Sequence, residues 1–292
     1  MKKEKQFTLL PNITKETIVK EGKNKNTYGD KGIYNTRNQL NDLTGKEWKF
    51  YTRSVITKSY PPGLQMDLRK QHGGQKPPEL CADLIKVFSK KGDLVFDPLM
   101  GVGGTLLGAS LCERKALGFE INSKWIQIYK EVCKLENLEE HETRCGDSRI
   151  LMKNLESENY DLVLTDVPYW NMDKLKHTRS VNGKKSNLKS FNDTPSKSKS
   201  EWLQEMKEIF VECTRILKTN HYLLIFIGDL YRDKEYHILS AELAFKLKEI
   251  SNLTLKANLI WYDVSKSLHV YGYPYQFVPS MIHQNILVFR KE

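Results

Sequence analysis

Several things are scarce in this 292-residue chain, and each absence narrows what it can be. No apolar run approaches the roughly 18 residues that a membrane span needs. The lysine-rich start, Met1-Lys2-Lys3-Glu4-Lys5-Gln6, has no apolar stretch behind it, so a signal peptide is not expected either. Only five cysteines occur (Cys81, Cys112, Cys133, Cys145 and Cys213), widely spaced and without a C-x-x-C pair. They suit reduced, mostly buried thiols in a cytoplasmic protein rather than a disulfide framework. The seven histidines do not cluster with them, so no metal site is expected. No internal repeat is present.

What is there begins with size and charge. With 39% apolar residues the chain can hold one large α/β domain with modest additions. Lys and Arg outnumber Asp and Glu by 46 to 36, a net charge of +10. The excess is localised: residues 1–60 hold 13 basic against 6 acidic side chains, residues 171–200 hold 8 against 2, and the remainder is slightly acidic. Two basic flanks on a near-neutral framework point to a polyanionic partner. The alternative is a pair of solvated basic segments.

Along the chain, residues 1–45 are polar, rich in Lys, Asn and Thr, and weakly periodic. Residues 48–55 are aromatic and β-leaning until Pro61-Pro62-Gly63 breaks them. In residues 79–88, Leu80, Leu84, Val87 and Phe88 share one helical face. Strands are then expected at 93–96, 116–120, 142–145, 160–165, 221–228, 253–262 and 284–290. Helices are expected at 104–113, 123–137, 201–217 and 236–250, with a shorter one near 149–155. This alternation predicts an α/β fold with a doubly wound, mostly parallel sheet of seven strands. The expected organisation is a basic, partly irregular extension over 1–60 and a catalytic domain over 61–292. A polar insertion at 171–200 interrupts that domain. Its Lys174, Lys176, His177, Arg179, Lys184, Lys185, Lys189, Lys197 and Lys199 suit a loop that faces phosphates.

Two short stretches carry the chemistry. Asp97-Pro98-Leu99-Met100-Gly101-Val102-Gly103-Gly104-Thr105 follows the apolar Leu94-Val95-Phe96 and opens a helix-compatible segment. Asp166-Val167-Pro168-Tyr169-Trp170 follows Leu162-Val163-Leu164. Each is a strand running into a turn, the place where open α/β sheets bind ligands. In the first, Gly101 and Gly103 permit positive φ and close approach to a bulky ligand. Leu106 stands where the dinucleotide G-x-G-x-x-G pattern needs its third glycine, which argues against a nicotinamide enzyme. Glu120, at the end of the next strand, can accept both hydroxyls of a ribose, or be an ordinary surface glutamate. Asp147, after Gly146, is either a ligand contact or a helix N-cap. Asp229 either lines the base pocket or, as favoured here, caps the next helix. Tyr271-Gly272-Tyr273-Pro274-Tyr275 can stack on bases or fill a core corner.

Together the two stretches resemble the cofactor motif and the catalytic Asp-Pro-Pro-Tyr motif of the S-adenosylmethionine-dependent amino-methyltransferases of DNA. The resemblance covers residues 48–289. It implies the Rossmann-like class I methyltransferase fold with an antiparallel last strand, and S-adenosyl-L-methionine as cofactor. Cofactor contacts would fall on Asp97, Pro98, Gly101, Gly103, Thr105, Glu120 and Asp147. Lys76 and Pro77, within Gln75-Lys76-Pro77-Pro78-Glu79-Leu80, look like the family's motif that packs on the methionine end.

A nucleobase amine is a poor nucleophile because its lone pair is delocalised into the ring. Asp166 and the Val167 carbonyl would accept its two N–H groups and localise that lone pair. Pro168 shapes the turn and Tyr169 stacks on a base flipped out of double-stranded DNA. Val167 departs from the family's usual proline and loses its fixed φ. Trp170 is either a second stacking platform or core. An acidic first residue leans toward adenine within the family. Carbon-5 methylation of cytosine would need a thiol in this turn, yet no cysteine lies between Cys145 and Cys213.

The expected function is therefore sequence-specific methylation of an adenine amine in DNA, as in a restriction–modification enzyme. DNA contacts would come from Trp170, Lys174, Lys176, Arg179, Lys184, Lys185 and Lys189, with residues 1–60 and 263–282 contributing. A cytosine-4-amine DNA methylase, an RNA base methyltransferase and a non-catalytic nucleic-acid-binding protein remain the alternatives. Monomer and homodimer are equally compatible with the sequence.

Overall fold

Near-continuous apolar runs along the central strands build the molecule, because successive side chains point to opposite faces of a sheet that is covered on both. The computed structural model describes residues 32–170 and 197–292. Outside these it describes the backbone of four short strands: Val19–Lys20, Lys25–Thr27, Ser180–Val181 and Lys184–Lys185. The main sheet has eight strands: β1 (Val55–Ile56), β2 (Leu94–Asp97), β3 (Lys115–Glu120), β4 (Glu142–Cys145), β5 (Tyr160–Asp166), β6 (Leu217–Ile227), β7 (Leu253–Tyr262) and β8 (His283–Lys291). Their spatial order is β1-β7-β8-β6-β5-β2-β3-β4. All neighbours are parallel except β8, which runs antiparallel to both β6 and β7. All seven expected strands are present, and Val55–Ile56 adds a short eighth at the edge.

The longer helices are α1 (Gly45–Tyr51), α2 (Pro78–Phe88), α3 (Gly104–Leu111), α4 (Ser123–Glu136), α5 (Lys199–Ile216) and α6 (Leu239–Leu247). On one face of the sheet, Val95, Leu162, Leu164, Leu224, Phe226, Ile286 and Val288 pack with α2, α3 and α4. On the other, Phe96, Val163, Leu223, Ile225, Leu287 and Phe289 pack with α5 and α6. Consecutive residues of one strand thus enter different cores, as a sheet covered on both faces requires. Four of the five cysteines are buried and all are free; Cys145 is exposed.

Four expectations need correction. Residues 48–51 are helical, because Thr44 and Glu47 form a reciprocal capping box that starts α1 at Gly45. The local aromatic β-preference yields to that cap, and only Val55–Ile56 is extended. The helix expected from 201 starts at Lys199, inside the 171–200 insertion, through a second capping box of Ser198 with Glu201, and within that insertion the backbone of Ser180–Val181 pairs antiparallel with Lys184–Lys185. The segment expected as a helix from 236 instead holds the second strand of a small hairpin, Leu230–Arg232 with Glu235–His237, before α6. β6 begins at Leu217, four residues early, with an irregularity between Leu217 and Tyr222 where it pairs with β5.

Close approach of α2 and α3 depends on Gly108. A Cβ there would lie 2.7 Å from the Cys81 Cβ and 2.9 Å from both the Ala82 nitrogen and the Pro78 oxygen. Helix propensity alone favours alanine by about 1 kcal/mol, whereas overpacking costs about 1–3 kcal/mol. Two of the obstructing atoms are backbone, so sterics win. Gly108→Ala is expected to lower the thermal midpoint, and a raised midpoint in a melting experiment would show that the two helices separate freely.

Candidate active site

The chain leaves β2 toward β3 and β4 on one side and returns to β5 on the other, so the sheet order reverses between β2 and β5. Adjacent parallel strands end there side by side, with Val95 opposite Leu162 and Phe96 opposite Val163. Asp97 closes β2 and Asp166 closes β5. Two carboxylates from distant sequence positions thus meet at the crevice where such sheets bind ligands.

The turn after Asp97 is held by its own polar groups. Asp97, buried, accepts from the Thr165 hydroxyl at 2.6 Å and the Leu99 N–H at 3.0 Å. Gly101 and Gly103 both have positive φ, 51° and 78°. At Gly103 glycine is also a packing requirement, since a Cβ would lie 2.3 Å from the Tyr129 ring. Glu120 closes β3, where its carboxylate accepts from the Gly101 N–H at 3.0 Å and the Asn122 N–H at 2.9 Å. Burial raises Asp97 to about 6 and Glu120 to about 7. The Pro98 carbonyl accepts from the buried Ser148 hydroxyl.

Four contacts from four parts of the chain fix the second turn. Lys76, 7% exposed, makes an ion pair with Asp166 and lies 5.4 Å from the Phe226 ring centroid. The Val167 N–H reaches the Phe226 carbonyl at 3.3 Å, a bond that proline could not make, while the Val167 side chain is buried in the second core. The departure from the family pattern therefore exchanges a rigid φ for a backbone hydrogen bond. Trp202 Nε1 donates to the Pro168 carbonyl at 2.8 Å, and Gln284 Nε2 donates to the Tyr169 hydroxyl at 2.6 Å. The Tyr169 ring runs so close to Gly228 that a Cβ there would lie 2.9 Å from it.

Between the turns is a cavity lined by His72, Gly74, Gln75, Lys76, Asp97, Leu99, Met100, Gly101, Val102, Gly104, Thr105, Asp166 and Phe226. Five of the expected site residues meet there: Lys76, Asp97, Gly101, Thr105 and Asp166. His72 Nδ1 and Gln75 Oε1 are buried at this cavity with no protein partner, as polar atoms reserved for a ligand would be. His72 stands edge-on to Trp125 at 5.1 Å. Burial and the nearby Lys76 push its pKa down to about 4, so its ring is neutral at pH 7.

Other expected residues stand elsewhere. Pro77, Pro98, Gly103, Glu120, Asp147, Tyr169 and Trp170 lie outside the cavity lining. Asp147 caps the short helix Ser148–Leu151 and pairs with Arg149 at 2.6 Å, which draws its carboxyl below the ordinary range. Trp170 packs partly buried against the second core, donates to the Lys197 carbonyl at 2.8 Å and has Arg232 5.2 Å from its ring centroid. Asp229 accepts from the Ser240 N–H in the first turn of α6, as a cap does. Lys174, Lys176, Arg179 and Lys189 lie outside the described residues, and Lys184 and Lys185 are described in backbone only. Lys197 and Lys199 are engaged by Glu205 and Glu242.

The raised carboxyl of Glu120 has a stability consequence of definite sign. A folded-state pKa above the unfolded one means that the folded chain holds the proton longer, so stability falls as pH rises from about 4.5 to about 7. Glu120→Gln removes that dependence. Between pH 5 and pH 8 the melting temperature of the variant is expected to gain on the wild type, and a constant difference across that range would contradict the assignment.

Comparison with known proteins supplies the frame for this geometry. Over 92 residues the chain is 38% identical to the orphan methyltransferase M.BamHII of Bacillus amyloliquefaciens, covering 32% of this chain and 30% of that protein. Over 122 residues it is 28% identical to the type II methyltransferase M2.DpnII of Streptococcus pneumoniae, covering 42% and 43%. The matches thus span less than half the length of these two relatives. Among solved structures, TrmN from Thermus thermophilus superimposes with a TM-score of 0.50 at 13% identity, over 77% of this chain and 52% of TrmN, a likeness of fold alone. Residues 2–131 and 160–292 match the N6/N4 DNA methylase family, so nearly the whole chain is accounted for and the protein is a member of that family.

Proposed function

We propose that the protein transfers a methyl group from S-adenosylmethionine to the exocyclic amino group of a base in DNA, with adenine as the favoured base, within a short sequence. The observation that carries this is the meeting of Asp166, fixed by Lys76, with the Asp97–Thr105 glycine turn at one cavity. S-adenosylmethionine is the methyl donor that family membership implies, supplying an electrophilic methyl on a sulfonium. The cavity residues fit such a group: the glycine turn admits a bulky nucleoside, while His72 Nδ1 and Gln75 Oε1 offer unpartnered polar atoms. Ribose contact by Glu120 belongs to the same reading.

On the substrate side, Asp166 and the Val167 carbonyl accept the two N–H groups of the amine, localising its lone pair toward the methyl carbon. With the donor bound, its sulfonium methyl would be the group transferred, and Asp166 would take the proton that the amine gives up. Alignment supplies most of the acceleration. The Pro168 carbonyl is taken by Trp202, leaving the Val167 carbonyl as the turn's second acceptor in this scheme. Tyr169, its hydroxyl tethered to Gln284, stacks on the extruded base. Residues 1–60, 171–200 and 263–282 read the sequence, with Lys174, Lys176, Arg179, Lys184, Lys185 and Lys189 meeting phosphates. The setting is a cytoplasmic restriction–modification system.

Nucleoside mass spectrometry after incubation with labelled S-adenosylmethionine and unmethylated genomic DNA tests the proposal. The expected product is 6-methyladenine, abolished by Asp166→Ala. Formation of 4-methylcytosine would move the target base, and transfer only to RNA would overturn the DNA assignment.

A further inference from the structure

The loop between β7 and β8 leaves the sheet at the end of β7, the edge that Asp97 and Asp166 share, since β7 runs in the same direction as the parallel strands. Its tip is tightly built. Tyr271 bridges to Val278, the Gly272 carbonyl accepts from the Tyr275 N–H at 2.8 Å and the Gln276 N–H at 2.9 Å, and the Ser280 hydroxyl bonds both the N–H and the carbonyl of His269. Gly272 is held at φ 71°, and a Cβ there would lie 2.5 Å from the Gln276 oxygen. On this fixed backbone the large side chains face solvent: Val270 is 83% exposed, Tyr273 80%, Tyr275 94% and Phe277 87%. The core-corner alternative for these tyrosines is therefore excluded.

A closed backbone that holds apolar rings in water is an interaction surface rather than a folding device. Two observations select its partner. The loop returns into β8, whose second residue, Gln284, donates its amide to the Tyr169 hydroxyl, so the base of the loop is tied to the catalytic turn. Within the 263–282 loop the charged side chains are Asp263, at its base, and Lys266, so the 271–278 tip carries no acidic group that would repel a polyanion.

We propose that the 271–278 tip inserts Tyr275 and Phe277 into the duplex beside the target, stacking on the bases left exposed when one base is extruded. This rests on the reading of the substrate as DNA. Aromatic wedges of this kind offset the cost of unstacking, and each stacked ring contributes enough to change binding about tenfold.

The test is Tyr275→Ser/Phe277→Ser in the full chain, with wild-type and variant methyl transfer measured on native genomic DNA and on the same DNA heat-denatured. Both substituted side chains lie in solvent, so the melting temperature and the affinity for S-adenosylmethionine are expected to remain at wild-type values. The specificity constant on duplex DNA should fall about tenfold or more, with less than threefold loss on single strands. Unchanged duplex activity would overturn the insertion while leaving the proposed function intact. Equal loss on both substrates would overturn it too, making the tip a general nucleic-acid contact. A dimeric wild type that becomes monomeric in the variant, by sedimentation, with duplex activity retained, would assign the tip to a second copy of the chain. A wild type that methylates neither DNA would overturn both readings.

Discussion

One ion pair, between the buried Lys76 and the half-buried Asp166, joins parts of the chain 90 residues apart, and the site depends on it. Lys76 comes from the segment that leads into α2, and Asp166 from the end of β5. Removing two charges from water costs several kcal/mol per ion, so such a pair adds little net stability. Its value is positional. Deleting one partner strands the other charge in a poorly solvated crevice, which is why the pair fixes where the Asp166 carboxylate stands. Phe226 beneath the ammonium and the Arg69 guanidinium on the Lys76 carbonyl, at 3.1 Å, hold the lysine from two sides.

Around that pair the crevice is a set of backbone groups and carboxylates that satisfy one another. Glu120 and Asp97 brace the glycine turn from the ends of β3 and β2, and both have raised pKa values because burial disfavours their ionised forms. The second turn is braced from β6, α5 and β8 through Phe226, Trp202 and Gln284. Bracing of this kind suits the proposed reaction, in which the Asp166 carboxylate and the Val167 carbonyl would have to be held in register with the amine.

How much of this the sequence discloses depends on the range of the forces involved. Most of the seven expected strands are legible because their apolar runs are bounded by turns; β4, Glu-Thr-Arg-Cys, has no such run and follows only from the strand–helix alternation. The order of the glycine and Asp166 turns places both at strand ends. The aromatic residues of α1 point to a strand, although Thr44 and Glu47 spell a capping box. At the site, Asp97, Gly101, Thr105, Lys76 and Asp166 stand out by their motifs and do meet. His72, Gln284, Trp202 and Gly228 carry no such mark. Gln284 acts on a side chain 115 residues away, and no local pattern singles out an amide for that contact. His72 stands three residues before Gln75 and is legible only as a neighbour of that motif. The exposure of Tyr275 and Phe277 cannot be read from spacing, because a core corner and a protruding tip share the same composition.

The most direct test of the account is single-turnover methyl transfer by Lys76→Gln and Lys76→Arg at saturating S-adenosylmethionine, where any loss of cofactor affinity is compensated. If Lys76 holds Asp166 against the amine, Lys76→Gln should slow transfer by about tenfold or more. Lys76→Arg, which keeps the charge, should recover part of that rate. A Lys76→Gln enzyme that transfers methyl groups at the wild-type rate would contradict the central claim.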